Sequence, residues 1–186
     1  LLVNAYLHED AIKKEFYKVW YDPKYQYYSG CGCFGEFSLA HNNDGNYNEH
    51  CFASISKSGE LLGVISYHVD RMVRSTRSFG AICFKDCSVE FAKDLIQAVD
   101  DIFCKFGMNR MEFCVIRGNP VEDAYDRLVD RAGGRILCVR HETAVNLQGD
   151  LCDDKMYEIM AVDYFTTKLA REIRKKEHRN HDKEVQ

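Results

Sequence analysis

The amino-acid sequence predicts an α/β fold in which a single sheet has both antiparallel and parallel portions. Three observations carry this. Apolar residues switch along the chain between a period near two and a period near 3.6. The resulting order is strand, helix, three strands, helix, strand, helix, two strands, a mixed order that antiparallel or parallel pairing alone does not satisfy. Finally, 186 residues with 46% hydrophobic and 29% charged content suffice for one domain with a sizeable core.

Leu1 to Tyr6 is a short strand candidate. From His8 to about Tyr21 the residues Ile12, Phe16, Val19 and Trp20 recur at helical spacing, and Pro23 is a stop just beyond. Tyr25 to Asn48 shows little periodicity and holds the turn signal Asn42-Asn43-Asp44-Gly45; a long irregular stretch in a compact domain is often functional. Cys51 to Ser56 alternates, Gly59 turns the chain, and Leu61 to Val69 is apolar and β-branched. Arg71 to Ser78 reads as a hairpin connection to a strand over Phe79–Phe84. Phe91, Leu95, Ile96, Val99, Ile102 and Phe103 form one face of a helix that Gly107 ends. Met111 to Ile116 is a strand, and Val121 to Ala132 a helix opened by Asn119-Pro120 and closed by Gly133-Gly134. Ile136 to Leu147, a Gly149-Asp150 turn and Met156 to Phe165 form a last hairpin, which sets 1–165 as the domain and 166–186 as a charged helical tail.

Composition narrows the function classes. No apolar run approaches the roughly 20 residues that cross a bilayer, and no signal-peptide pattern opens the chain. Nine cysteines, an odd number scattered through strands and helices, argue for free thiols in a reducing cytoplasm. Cys83, Cys114 and Cys138 lie in apolar runs, where a thiol acts as a small hydrophobe. The tail carries seven basic and four acidic residues, so the first 165 residues hold a net −7. An acidic body argues against nucleic-acid binding and suits a cationic, amine-bearing substrate.

From Glu60 to Phe165 the text GELLGVISYHV, FGAICF, FAKDLIQAVDDIFCKFG, NRMEFCVIRGNP, VEDAYDRLVDRAGG and RILCVRHETAVNLQGD, with DKMYEIMAVDYF, follows a specific order. Strand, Asn, helix, Gly-Gly and hairpin in this succession resemble the GCN5-related N-acetyltransferases, particularly divergent members from bacteria and their phages. The resemblance implies a mixed, mostly antiparallel twisted sheet of about six or seven strands flanked by helices and splayed at its central parallel pair. It implies acetyl-coenzyme A as co-substrate, and an amine acceptor that attacks the thioester directly in a ternary complex. The protein would be a monomer or a homodimer.

The resemblance also assigns residues. Ile82, Cys83 and Phe84, on the strand equivalent to the family's pantetheine-binding strand, would hydrogen-bond the pantetheine arm through their backbone. Cys87, Ser88, Val89, Glu90, Phe91 and Ala92 fall on the loop that wraps the pyrophosphate at a helix N-terminus, where unpaired N–H groups and the helix dipole favour an anion. Cys87 stands where the family has Gln or Arg, and Glu90 where it has its first Gly. Glu90 sets a carboxylate beside a dianion, although Glu at a helix start also serves the helix itself. Asn119 matches the family's Asn after the fifth strand and is equally a good helix N-cap. Tyr125 matches the acid that protonates the leaving thiolate, with a core packing role as the alternative. A base could be Glu112, His68 or a water chain ending at either, and Glu112 is the candidate carried forward.

Other signals resolve to plainer readings. Cys31, Cys33, His41, His50 and Cys51 lack the paired spacing of a zinc site, so no metal is expected. Arg71, Arg74 and Arg77 read as a solvated hairpin, and the interspersed acids of the tail as a solvated helix end. Tyr21, Tyr25, Tyr27 and Tyr28 lie where the family builds its acceptor loops, and shape the substrate pocket or pack in the core. Loss of the glycine-rich loop keeps open a second class of function, a non-catalytic binding module with the same fold.

Overall fold

The computed structural model describes residues 1–19, 22–27, 39, 47–85, 88–146, 148–169 and 171. Trp20, Tyr21, Tyr28, Cys31, Cys33, His41, the Asn42–Gly45 turn, Cys87 and the end of the tail lie outside the described residues. The described strands build a seven-stranded sheet in the order β1-β2-β3-β4-β5-β7-β6. β1 is Leu2–Asn4, β2 Glu49–Ile55, β3 Leu61–Asp70, β4 Ser75–Cys83, β5 Arg110–Ile116, β6 Arg135–Val145 and β7 Leu151–Met160. Helices α1 (Glu9–Val19), α2 (Val89–Cys104) and α3 (Glu122–Ala132) flank it, and a fourth, α4, covers 161–169. Every neighbouring pair is antiparallel except β4 with β5.

Two cores lie on opposite faces. On one, α2 and α3 cover Tyr67, Phe79, Met111, Phe113, Tyr157 and Ile159. On the other, α1 lays Ile12, Phe16 and Val19 against Ala53, Val64 and Ile82. The apolar spacing that predicted these helices is the spacing that places their faces. α2 starts at Ser88, whose hydroxyl accepts from the Phe91 N–H at 3.0 Å, and α3 ends at Gly133 with φ of 75°.

Boundaries differ from the sequence expectation at several places, including the start of β7 at Leu151 rather than Met156. The chain leaves β1 after Asn4, whose side chain caps a 3-10 turn over Ala5–His8. β4 starts at Ser75 rather than Phe79, because only the four residues 71–74 form the turn. The arginines there tie the hairpin down. Arg71 donates to the Tyr47 carbonyl, Arg74 to the Gly107 carbonyl and Arg77 to Asp70. The last strand ends at Met160 and 161–169 is helical, not strand to Phe165. Tyr164 there is buried against Phe103 and donates to Asp100 at 2.7 Å, while Lys168 pairs with the same carboxylate.

Gly63 on β3 marks the closest approach between layers. A Cβ on it would lie 2.2 Å from the Ile82 carbonyl oxygen and 2.5 Å from the Phe91 ring. Neither neighbour can yield, since one is backbone and the other a buried ring. Gly63→Ala is therefore expected to cost about 3 kcal/mol, seen in thermal unfolding as a drop of about 10 °C. An unchanged midpoint would show that α2 can ride away from the sheet.

Candidate active site

The parallel pairing of β4 with β5 consists of Ser75 opposite Arg110 and Thr76 opposite Met111. Past these residues each strand keeps its outer antiparallel partner, β3 for β4 and β7 for β5. The strands thus splay into a wedge that opens toward Cys83 and Ile116. Alternate strand residues turn their amides to opposite sides. Phe84 donates to Leu62 on β3, and the Ile82 carbonyl also points to β3. Ala81 and Cys83 therefore direct their amides into the wedge.

Tyrosines reach both. Tyr125 on α3 is 3% exposed, and the Ala81 backbone N–H lies beside its hydroxyl. Its ring meets Phe113 edge-on at 5.3 Å and Tyr157 at 6.4 Å. Burial pushes its pKa up to about 12, against a smaller lowering by the Ala81 N–H. It is a neutral proton donor near neutral pH. From the other side, Tyr25 donates its hydroxyl hydrogen to the Cys83 carbonyl at 2.9 Å.

Glu112 projects from the opposite face of β5. Phe113 packs beneath Tyr125, whereas Glu112 sits opposite Glu158 of β7 and 3.3 Å from Arg110. The two candidate catalytic residues thus flank the wedge from its two sides and are not in one cluster. No described helix packs on the Glu112 face of β5, β7 and β6. Its carboxylates are partnered there: Glu158 with Arg135 and Arg110, Asp154 with Arg140. Cys114 and Cys138 are exposed on this face, in contrast to the buried hydrophobes expected, because the helices cover only the other side.

His68 is placed away from the wedge. Its Nδ1 lies 2.6 Å from Glu49 across β2 and β3. His50 and Cys51 are successive residues of β2 and point to opposite faces, so they do not converge on one ion.

Of the described residues in the predicted cofactor-binding set, Ile82, Cys83 and Phe84 lie at the wide end of the wedge. Ile82 and Cys83 close β4, Phe84 follows it, and Phe91 is buried beneath Gly63. Ser88 caps α2, Val89 and Ala92 are exposed, and Glu90 stands in the first turn. Asn119 uses its side chain to accept from the Val121 N–H at 3.0 Å, and Glu122 reaches back to the Gly118 N–H at 3.1 Å. Asn119 thus bonds within the turn before α3 and is not its N-cap, a position held by Val121 without a side-chain cap bond. Missing from the sequence reading was the seating of Tyr27, whose hydroxyl would lie 3.4 Å from a Cβ on Gly118. The signal was present in the tyrosine cluster, but only the fold brings it to the end of β5.

No protein-family model matches the chain, and no curated protein matches it by sequence. Solved structures do. Spermidine/spermine N-acetyltransferase SpeG from Vibrio cholerae matches with TM-score 0.55 and 20% identity over 67% of this chain and 72% of that one. SpeG in complex with CoA and spermine matches at 0.54 and 21%, over 67% and 72%. A probable acetyltransferase matches at 0.53 and 18%, over 64% and 66%. This chain has the GCN5-related N-acetyltransferase fold. At these identities the likeness is one of fold, and it includes the expected mixed sheet with its splayed parallel pair.

Asp154 gives the open face a pH-dependent element. Hydrogen bonds from Arg140 hold its carboxyl below the usual range and outweigh the opposing effect of burial. With the folded pKa depressed, the unfolded chain binds more protons, so this stabilisation is present above about pH 4 and fades as pH falls through the folded value. Asp154→Asn should lower stability at pH 7, and the gap to the parent should narrow as pH falls below about 4. A gap independent of pH in denaturant titrations would assign the loss to packing instead.

Proposed function

We propose that this chain is an acetyl-CoA-dependent N-acetyltransferase that transfers the acetyl group to a primary amine of a small molecule or protein. The observation that carries the reading is the β4 edge in the wedge. It presents the Ala81 and Cys83 amides to an extended ligand, with the buried Tyr125 hydroxyl at the same place. A strand edge of this kind binds amide-bearing chains as an added strand would, and the pantetheine arm carries two amides. The SpeG structure with CoA and spermine supports the ligand and acceptor classes by analogy of fold.

Acetyl-CoA supplies an activated thioester. The acceptor's nitrogen lone pair forms the new C–N bond as the C–S bond breaks, and the electron pair of that bond leaves on sulfur. Tyr125, kept protonated by burial, gives its proton to the departing sulfur from the helix-covered side. Glu112 takes the proton lost by the amine from the open side, directly or through water. Nucleophile and leaving group thus have separate proton partners on separate faces, an arrangement that suits direct attack without a covalent enzyme intermediate.

The second reading, a non-catalytic binding module, rests on α2. Its first turn carries the Ser88 cap and Glu90 where a glycine-rich loop would let backbone approach a pyrophosphate. Calorimetric titration with acetyl-CoA and with free CoA separates the two. Micromolar binding, roughly −8 kcal/mol, is expected; no binding at millimolar ligand makes the module the better reading. With turnover established, Tyr125→Phe should lower kcat by about a hundredfold while the Kd for acetyl-CoA stays within about twofold of the parent. Unchanged kcat would leave Tyr125 a core residue only.

A further inference from the structure

The Cys83 carbonyl, an acceptor directed into the wedge, is already taken. Tyr25 holds it at 2.9 Å, and the way Tyr25 is delivered is specific. Asp22 caps a single 3-10 turn over Pro23–Tyr25 by accepting from the Lys24 N–H at 2.9 Å. Pro23 fixes the first φ of that turn, the Tyr25 N–H bonds Asp22 and the Gln26 N–H bonds Pro23. The Tyr25 ring packs against the α1 core, and two residues later Tyr27 lies over Gly118, just past the end of β5. The segment 22–27 therefore reaches from the end of β4 to the end of β5, across the wide end of the wedge.

We propose that Tyr25 is a latch: its hydroxyl occupies the β4 hydrogen-bonding position that the ligand's amide arm takes, and the arm enters by displacing it. This rests on the reading of the wedge as a CoA cleft. Two features argue for exchange rather than permanent closure. The bond of the hydroxyl to the strand-edge carbonyl is a neutral hydrogen bond, an interaction whose net worth is small and which an amide N–H replaces in kind. Its ring, by contrast, is held by apolar packing that does not depend on the hydroxyl, so the residue can release the carbonyl while its ring stays on the core. Tyr25 is thus a specificity-determining residue. It admits ligands with an amide donor at that position and disfavours those that only fill space.

The test uses Tyr25→Phe, which keeps the ring. In the free protein the amides of Tyr25 and Gln26 should exchange hydrogen about fivefold faster in the variant, because the turn loses its anchor. The variant should bind CoA about fivefold more tightly, the competing hydroxyl being gone. Adenosine 3′,5′-bisphosphate, which lacks the amide arm, should bind both proteins equally. Unchanged or weaker CoA binding overturns the proposal, as does an equal gain for the bisphosphate. If neither protein binds CoA, the acetyltransferase reading falls, and the exchange rates alone then decide whether the latch exists, with unchanged rates overturning it.

Discussion

Everything functional in this molecule depends on a parallel pairing that stops after two residue pairs. β4 must hold β5 at Ser75 and Thr76 and yet diverge from it before Ala81. The cause lies within β4. Ser78 adopts φ of 54°, and the β3–β4 register shifts between Ser66 and His68, opposite that part of the strand. An irregularity of this kind adds local right-handed twist and bends the strand. It turns β4 away from β5 while the pairing to β3 resumes on both sides. Divergence has a cost, because amides that would have met in a ladder need other partners. The Tyr25 hydroxyl meets that need at the Cys83 carbonyl, and Tyr125 lies beside Ala81, so the tyrosines belong to the architecture of the wedge.

The two faces of the sheet are built for different work. Beneath α2 and α3 the wedge is closed by aromatic packing in which Phe79, Phe113, Tyr125 and Tyr157 contact one another at centroid distances of 5.0 to 6.4 Å. Such a wall excludes water and holds Tyr125 to one rotamer. The other face of β5 and β7 alternates carboxylates with arginines and exposes Cys114. Proton transfer to bulk water is possible on that side only. A reaction needing one proton delivered in a dry site and another removed to solvent matches this asymmetry better than one confined to either face.

Much of the fold was legible because it is written in periodicity. Ile12, Phe16 and Val19 in α1, and Phe91, Val99, Ile102 and Phe103 in α2, are both the pattern and the buried set. The start of β4 was not legible. Ser75 to Ser78 contains two serines, a threonine and an arginine with no apolar alternation, because Ser75 and Thr76 are buried by strand pairing on both sides. The end of β7 was missed for the opposite reason, since Ala161 to Phe165 is apolar enough for a strand and is helical through Tyr164 packing on Phe103. At the site, a local rule found Ser88 capping α2, whereas Asn119, expected as an N-cap, bonds within the turn ahead of α3. Tyr25 was recognised only as one of a cluster. Its partner lies 58 residues away, and no local pattern encodes that distance.

The burial of Tyr125 does not decide between a packing role and a chemical one, because the same physics serves both. A tyrosine hydroxyl in the core requires a partner, and the Ala81 N–H lies beside this one. That N–H is a donor toward the hydroxyl oxygen, so the hydroxyl's own proton stays available to an acceptor that an extended ligand along β4 brings. In the proposed reaction of a thioester ligand that acceptor is the departing sulfur. The burial that raises its pKa to about 12 also makes the phenolate a poor species to leave behind. The hydroxyl therefore donates strongly only as negative charge develops on that sulfur. On the proposed acetyltransferase reading, such a group stabilises the transition state more than the ground state, which is the condition for catalysis.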